Sequence, residues 1–200
     1  MALKFAVNNS LSAITSLPSG ISGGALNLIS TQTASASASI SFTSGIDSTY
    51  DSYVFKFYDI HPSGSNQTFH FQASTNGGSS YGVTITSTVF RAYHDEADTA
   101  TALNYDTASD LAQSTSFQRI MKITDDNDNN GCGTLQIFNP SSTTFVKHFI
   151  ANCQETNSST YSQNQFTAGY FNTTSSLNAF QFKFDSGNID DGIIKMYGVS

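Results

Sequence analysis

Phe180, Phe182 and Phe184 alternate with Gln181 and Lys183. The same period of two places Phe69, Phe71 and Ala73 between Thr68, His70 and Gln72, and sets Val83, Ile85 and Val89 against Thr84, Thr86 and Thr88. It runs again through Ala36, Ala38, Ile40 and Phe42, which alternate with serines. Successive side chains of a strand point to opposite faces, so each segment reads as a half-buried antiparallel strand with one apolar and one hydroxyl-rich face. A single sheet would leave its phenylalanines in water, and two packed sheets hide them.

Less regular runs rich in β-branched and aromatic residues extend the pattern over 53–60, 117–124, 133–138, 144–151, 165–171 and 193–199. Turn chemistry separates them at short intervals, as in His61-Pro62-Ser63-Gly64, Asn76-Gly77-Gly78, Asn129-Asn130-Gly131, Asn139-Pro140 and Ser186-Gly187-Asn188. About ten short strands so punctuated predict an all-β chain: a jelly-roll-like antiparallel β-sandwich with an N-terminal extended arm. The sandwich is expected over 25–200 as a single domain with an insertion at 91–116, and the arm over 1–24.

The arm mixes Leu3, Phe5, Val7, Leu11, Ile14 and Leu17 with a flexible Pro18-Ser19-Gly20 passage. It reads either as a frayed leader or as a segment whose apolar residues dock on another subunit. The insertion carries Asp95, Glu96, Asp98, Asp106 and Asp110, and its 107–113 piece is expected to form one or two helical turns.

Composition narrows the function. Only 12% of the 200 residues are charged, about half the usual share, and roughly a quarter are Ser or Thr. Sixteen Phe and nine Tyr exclude a disordered polar chain. A net charge of −7 argues against nucleic acid, which needs clustered positive charge. No apolar run is long enough for a membrane span, and the first residues do not read as a signal peptide.

The two cysteines, Cys132 and Cys153, are too far apart for a CxxC site. A symmetric hairpin about Asn139–Ser142 sets residues i and 285 − i opposite, which would bring these two together. A one-residue slip removes that match. Free thiols are the favoured reading, because a chain without an export signal is made in a reducing compartment.

Catalytic motifs give no foothold, and His61, His70, His94 and His148 show no ligand spacing. His70, on the polar parity of its strand, reads as a solvent-facing structural histidine. No cofactor is called for, with calcium the one ion the sequence raises. Asp126, Asp128 and Asn130, followed by Gly131, match the core of a calcium loop, but position twelve is Ile137 rather than a closing Glu. The competing reading is a polar hairpin loop that uses Asn and Gly for left-handed backbone positions. Among rings able to stack on a sugar, Tyr81 and Tyr93, with His94, are the candidate glycan contacts.

The segment Asp51-Ser52-Tyr53-Val54-Phe55-Lys56-Phe57, the hairpin Ala73–Tyr81 with its Gly77-Gly78, and the closing runs 182–189 and 192–198 resemble a family of tailed-bacteriophage virion structural proteins, of the kind seen in marine phages of cyanobacteria. That resemblance implies a non-enzymatic surface component of the particle, as head decoration or part of the neck, tail or fibre. It also implies other virion proteins as partners, a symmetric oligomer such as a trimer, and a place in the virion after synthesis in the host cytoplasm. A hydroxyl- and amide-rich surface suits such a particle, since it does not depend on ion pairs that salt screens. The alternative is a host-recognition module that binds cell-surface glycans.

Overall fold

The computed structural model describes residues 26–157 and 160–200, so the expected docking arm, with Leu3 through Leu17, lies outside the described residues. Twelve strands are present among the described residues: β1 (Asn27–Ser37), β2 (Ile40–Phe42), β3 (Ser52–Pro62), β4 (Gln67–Ser74), β5 (Ile85–Asp95), β6 (Thr101–Tyr105), β7 (Gln118–Ile123), β8 (Gly131–Phe138), β9 (Lys147–Thr156), β10 (Tyr161–Phe171), β11 (Ala179–Phe184) and β12 (Ile189–Val199). They form two antiparallel sheets, one of eight strands in the order β1-β12-β3-β8-β9-β10-β5-β6 and one of four in the order β2-β11-β4-β7. The described residues contain no helix, and the chain is an all-β sandwich.

The two sheets meet over the phenylalanines that the alternation put on one parity. Phe182 of β11 is fully buried, with the rings of Phe42, Phe55, Phe57 and Phe69 at centroid distances of 6.1, 5.1, 5.3 and 6.1 Å. Phe71, Phe149 and Phe171 continue the same layer with edge-on and tilted contacts. Each such ring removes well over 100 Å² from water, and the edge-on and tilted pairs, all but the stacked Phe69–Phe182, suit the ring quadrupole. Gly192, at φ +133, lies where β12 slips register against β3, and a Cβ there would meet Asp59 O and Ile60 Cα at 3.0 Å. Glycine alone fits that bulge.

Three local expectations are corrected. The alternating run 36–42 is not one strand: the chain leaves the large sheet after Ser37, near the positive φ of Ala36, and enters the small sheet at Ile40. The 91–116 stretch is not a separate insertion, because β5 runs on to Asp95 and turns back through β6, with Phe90 paired to Tyr105. The expected helical turns at 107–113 are absent. That segment runs along the free edge of β5, where Leu111 O accepts from Ser87 N at 2.9 Å and Ser114 exchanges both backbone bonds with Ile85. An edge strand offers a continuous row of donors and acceptors, which outcompetes a helical turn of few internal bonds.

The β8–β9 hairpin pairs Gly133 with Cys153 and Cys132 with Gln154, one residue away from the register that would oppose the cysteines. Cys132 therefore faces water, Cys153 faces the core, and both are free. In the long 139–146 connection Ser142 N donates to Asn139 O at 3.1 Å.

Candidate functional site

The alternation holds on β5 for Ile85 and Val89, which are buried while Thr88 is exposed, but the inward parity of β5 and β10 also takes polar side chains and the outward parity aromatic ones. Ser87, Gln163, Gln165 and Thr167 are buried, whereas Phe90 is 42% exposed and Phe166 is only half covered. The cause is continuity of parity. Phe171 is locked into the core at one end of β10, and β10 pairs with β9 and β5 without a bulge, so every second residue from Phe171 back to Gln163 must also point inward. Gly169 on that parity has Phe149 over it, and a Cβ would lie 2.8 Å from the Phe149 ring. Two surfaces result, one on each side of the same strands.

Outside, Phe90 and Phe166 stack at 4.9 Å and 13°. Tyr105 (52% exposed) and Leu103 (71%) lie beside them on β6. On the other flank a shallow cavity of about 450 Å³ is bordered by Phe138, His148, Ile150, Ala168 and Tyr170. Exposed apolar residues scattered singly are ordinary, but a contiguous row across five strands is the feature of an interaction face.

Inside, the same strands enclose a polar seam that holds both arginines of the chain. Asp106 Oδ2 lies 3.8 Å from Arg91 Nε and 3.6 Å from Arg119 Nη1, and Arg119 Nη1 donates to Ser109 Oγ at 2.8 Å. Arg91 Nη1 donates to Gln163 Oε1 at 3.4 Å, and the Gln163 amide donates to the buried Glu155 carboxyl. Burial pushes the Glu155 carboxyl up to about 8, only partly offset by the Lys122 backbone N–H and Arg119. Burial likewise pulls Arg119 below its usual range, against the pull of Glu155 and Asp106. Arg91 Nε, Arg119 Nε and Nη2, and Glu155 Oε2 are buried without a hydrogen-bond partner. The seam opens into a cavity of about 200 Å³ lined by Arg91, Lys122, Gln163, Tyr93 and Tyr161, the two rings 4.9 Å apart.

The glycan candidates separate. Tyr93 and His94 both border a shallow cavity of about 460 Å³ beside Leu103, and Tyr93 also borders the seam cavity. Tyr81 lies elsewhere, in a polar cavity of about 550 Å³ with Thr75, Thr115 and Asn172, its hydroxyl buried without a partner. His94 is tied to its own turn, Nδ1 2.7 Å from Asp95 O and Nε2 3.1 Å from Asp98 Oδ1. Asp95 holds that turn by accepting from Thr99 N and Ala100 N at 2.8 Å, and its carboxyl stays below the usual range chiefly through the Thr99 hydroxyl.

Of the calcium candidates, Asp126 accepts from Asn129 Nδ2 at 3.3 Å and Asn130 Nδ2 donates to Asp59 at 3.2 Å, while Asp128 sits at the exposed loop tip. Among the described residues no group of three His, Cys, Asp or Glu is placed to hold a metal. His70 is half-buried, not solvent-facing: burial pushes it down to about 4, against the pull of Asp185.

Sequence reasoning missed the seam, because Arg91 fell in the expected 91–116 insertion and Gln163 outside the expected strand 165–171. It also missed Lys147, fully buried, whose Nζ donates to Thr173 O at 3.1 Å and Ser175 O at 2.8 Å and so satisfies loop carbonyls. The signal available was on β10 itself, where Phe166 and Phe171 lie on opposite parities and cannot both be core.

No family model matches the chain, and neither curated proteins nor solved structures give a match. Among the described residues no helix is long and apolar enough to cross a membrane.

Proposed function

We propose that this chain is a non-enzymatic structural protein of a bacteriophage virion, a surface component that assembles with further copies of itself. The observation that carries the reading is the apolar row formed by Phe90, Phe166, Tyr105 and Leu103, a face that a second copy of the chain covers. Strand order supports it. The four-stranded sheet packs on β3, β9 and β10 through Phe55, Phe57, Phe149 and Phe171, and β1 to β2, β3 to β4, β7 to β8 and β11 to β12 each cross between sheets, crossings that a jelly roll, an architecture used in viral capsid domains, also makes. The strands β10, β5 and β6 end the large sheet, and they carry the apolar row on its outer side.

On this reading residues 1–24, with Leu3, Phe5, Val7, Leu11, Ile14 and Leu17, dock on a neighbouring subunit of the particle. Sedimentation of the purified chain at micromolar concentration tests the assembly, with a closed oligomer expected and a monomer overturning it. Antibody labelling of intact particles tests the location. A host-recognition role rests on a different part of the molecule, the cavity beside Tyr93.

A further inference from the structure

Charge is scarce in this chain, with 8 Lys and Arg in 200 residues and a net charge of −7. Three of those eight cations nevertheless belong to one seam: Arg91 and Lys122 line the 200 Å³ cavity, and Arg119 lies behind it. Asp106 is the carboxylate within ion-pair distance of both arginines. Its two contacts, at 3.8 and 3.6 Å, exceed hydrogen-bond length, and Arg91 Nε is buried without a partner. The second acid of the seam, Glu155, is pushed up to about 8 by burial and is mostly neutral at pH 7, so it does not cancel the cations. A guanidinium left short of acceptors beside a lysine, in a chain that is acidic elsewhere, is poised for an anion.

The rest of the lining decides which kind. Tyr93 and Tyr161 supply two rings 4.9 Å apart, and Gln163 supplies an amide held between Arg91 and Glu155. A simple inorganic anion uses the cations alone. A ring-shaped ligand that carries both hydroxyls and an acid uses all of these groups. The volume falls below the roughly 300–1,000 Å³ of drug-sized sites, so it admits a single small ring.

We propose that this cavity binds one acidic sugar residue, with its carboxylate received by Arg91 and Lys122 and its ring placed against Tyr93 and Tyr161. The inference does not depend on the assembly role: the cavity opens on the opposite side of the sheet from the apolar row, so a monomeric chain could still bind, and an oligomer could fail to.

Isothermal titration of the full chain with methyl glucuronide, methyl glucoside and inorganic phosphate tests it. The glucuronide should bind at least about tenfold more tightly than either control. Lys122→Met and Tyr161→Leu should each weaken glucuronide binding about tenfold or more while leaving the thermal melt of the protein near that of the parent. If one variant melts early, the other carries the comparison. No measurable glucuronide binding, glucoside binding as tight, phosphate binding as tight, or folded variants that bind like the parent would each overturn the assignment.

Discussion

Leu103 gives the sharpest test of the assembly face. It stands on β6, at the edge of the large sheet, 71% exposed beside the Phe90–Phe166 stack. Fully burying a leucine contributes about 1.5–3 kcal/mol, so roughly seven-tenths of that, ~1–2 kcal/mol, is still to be gained each time a partner covers it. A ring of copies covers Leu103 once per interface, and a twofold interface covers it twice. Leu103→Gln should therefore weaken association about 5- to 30-fold in a ring and about 30- to 1,000-fold about a twofold axis. Because the side chain makes so little contact within its own subunit, monomer stability should change by no more than about 0.5 kcal/mol. Sedimentation equilibrium across a concentration series reads the first quantity and urea unfolding the second. A variant that assembles at the concentration of the parent refutes the reasoning, as does one whose weaker assembly follows from a destabilised fold.

Phe182→Ala should cost about 3–5 kcal/mol in urea unfolding, a large share of a typical 5–15 kcal/mol, because four rings lose their common neighbour; a loss under 1 kcal/mol would contradict the packing. Stability should vary with pH through two groups. His70, pushed down to about 4, contributes stability that is lost as pH falls from 6.5 toward 4, and Glu155, pushed up to about 8, contributes stability that is lost as pH rises from 4.5 through 8. The two slopes oppose each other between 4.5 and 6.5, so unfolding free energy measured across pH should plateau there and decline from 6.5 to 8, and Glu155→Gln should remove that decline. A thiol reagent should label one cysteine of the native chain, Cys132, and both after unfolding, since Cys153 is buried and its thiol is pushed well above the usual range; two fast equivalents in the native state would place Cys153 wrongly. Deleting residues 1–24 should lower incorporation into particles, and normal copy number would dismiss the docking arm.

How far the fold could be read from the chain differs from strand to strand. Along β3, β4 and β11 the phenylalanines and their polar neighbours keep one phase, and Phe55, Phe57, Phe69, Phe71, Phe180, Phe182 and Phe184 are all buried. There the pattern alone told strand from helix and inside from outside. The paired turns followed from Asn, Gly and Pro, whose backbone preferences are local. Short-range chemistry is legible because it does not depend on a partner.

The β8–β9 register and the faces of β10 were not legible in this way, whereas on β5 the alternation had already turned Ile85 and Val89 inward. A hairpin with a long connection can settle in either of two neighbouring registers, and here the choice separates Cys132 from Cys153. On β10, Phe166 and Phe171 demand opposite faces, and nothing local ranks them. Burial of Phe171 among Phe71, Phe149 and Phe180 decides it, since an unbroken ladder then carries Gln163, Gln165 and Thr167 inward and turns Phe166 to the outer face, half-buried. An all-β chain with an aromatic interior and few charges is legible before any folding is considered, because side-chain alternation is a property of each strand alone. Where the chain gathers its arginines and where it exposes its rings depends on the packing of the two sheets, because the end of a continuous strand that is buried in the core sets the parity of the rest.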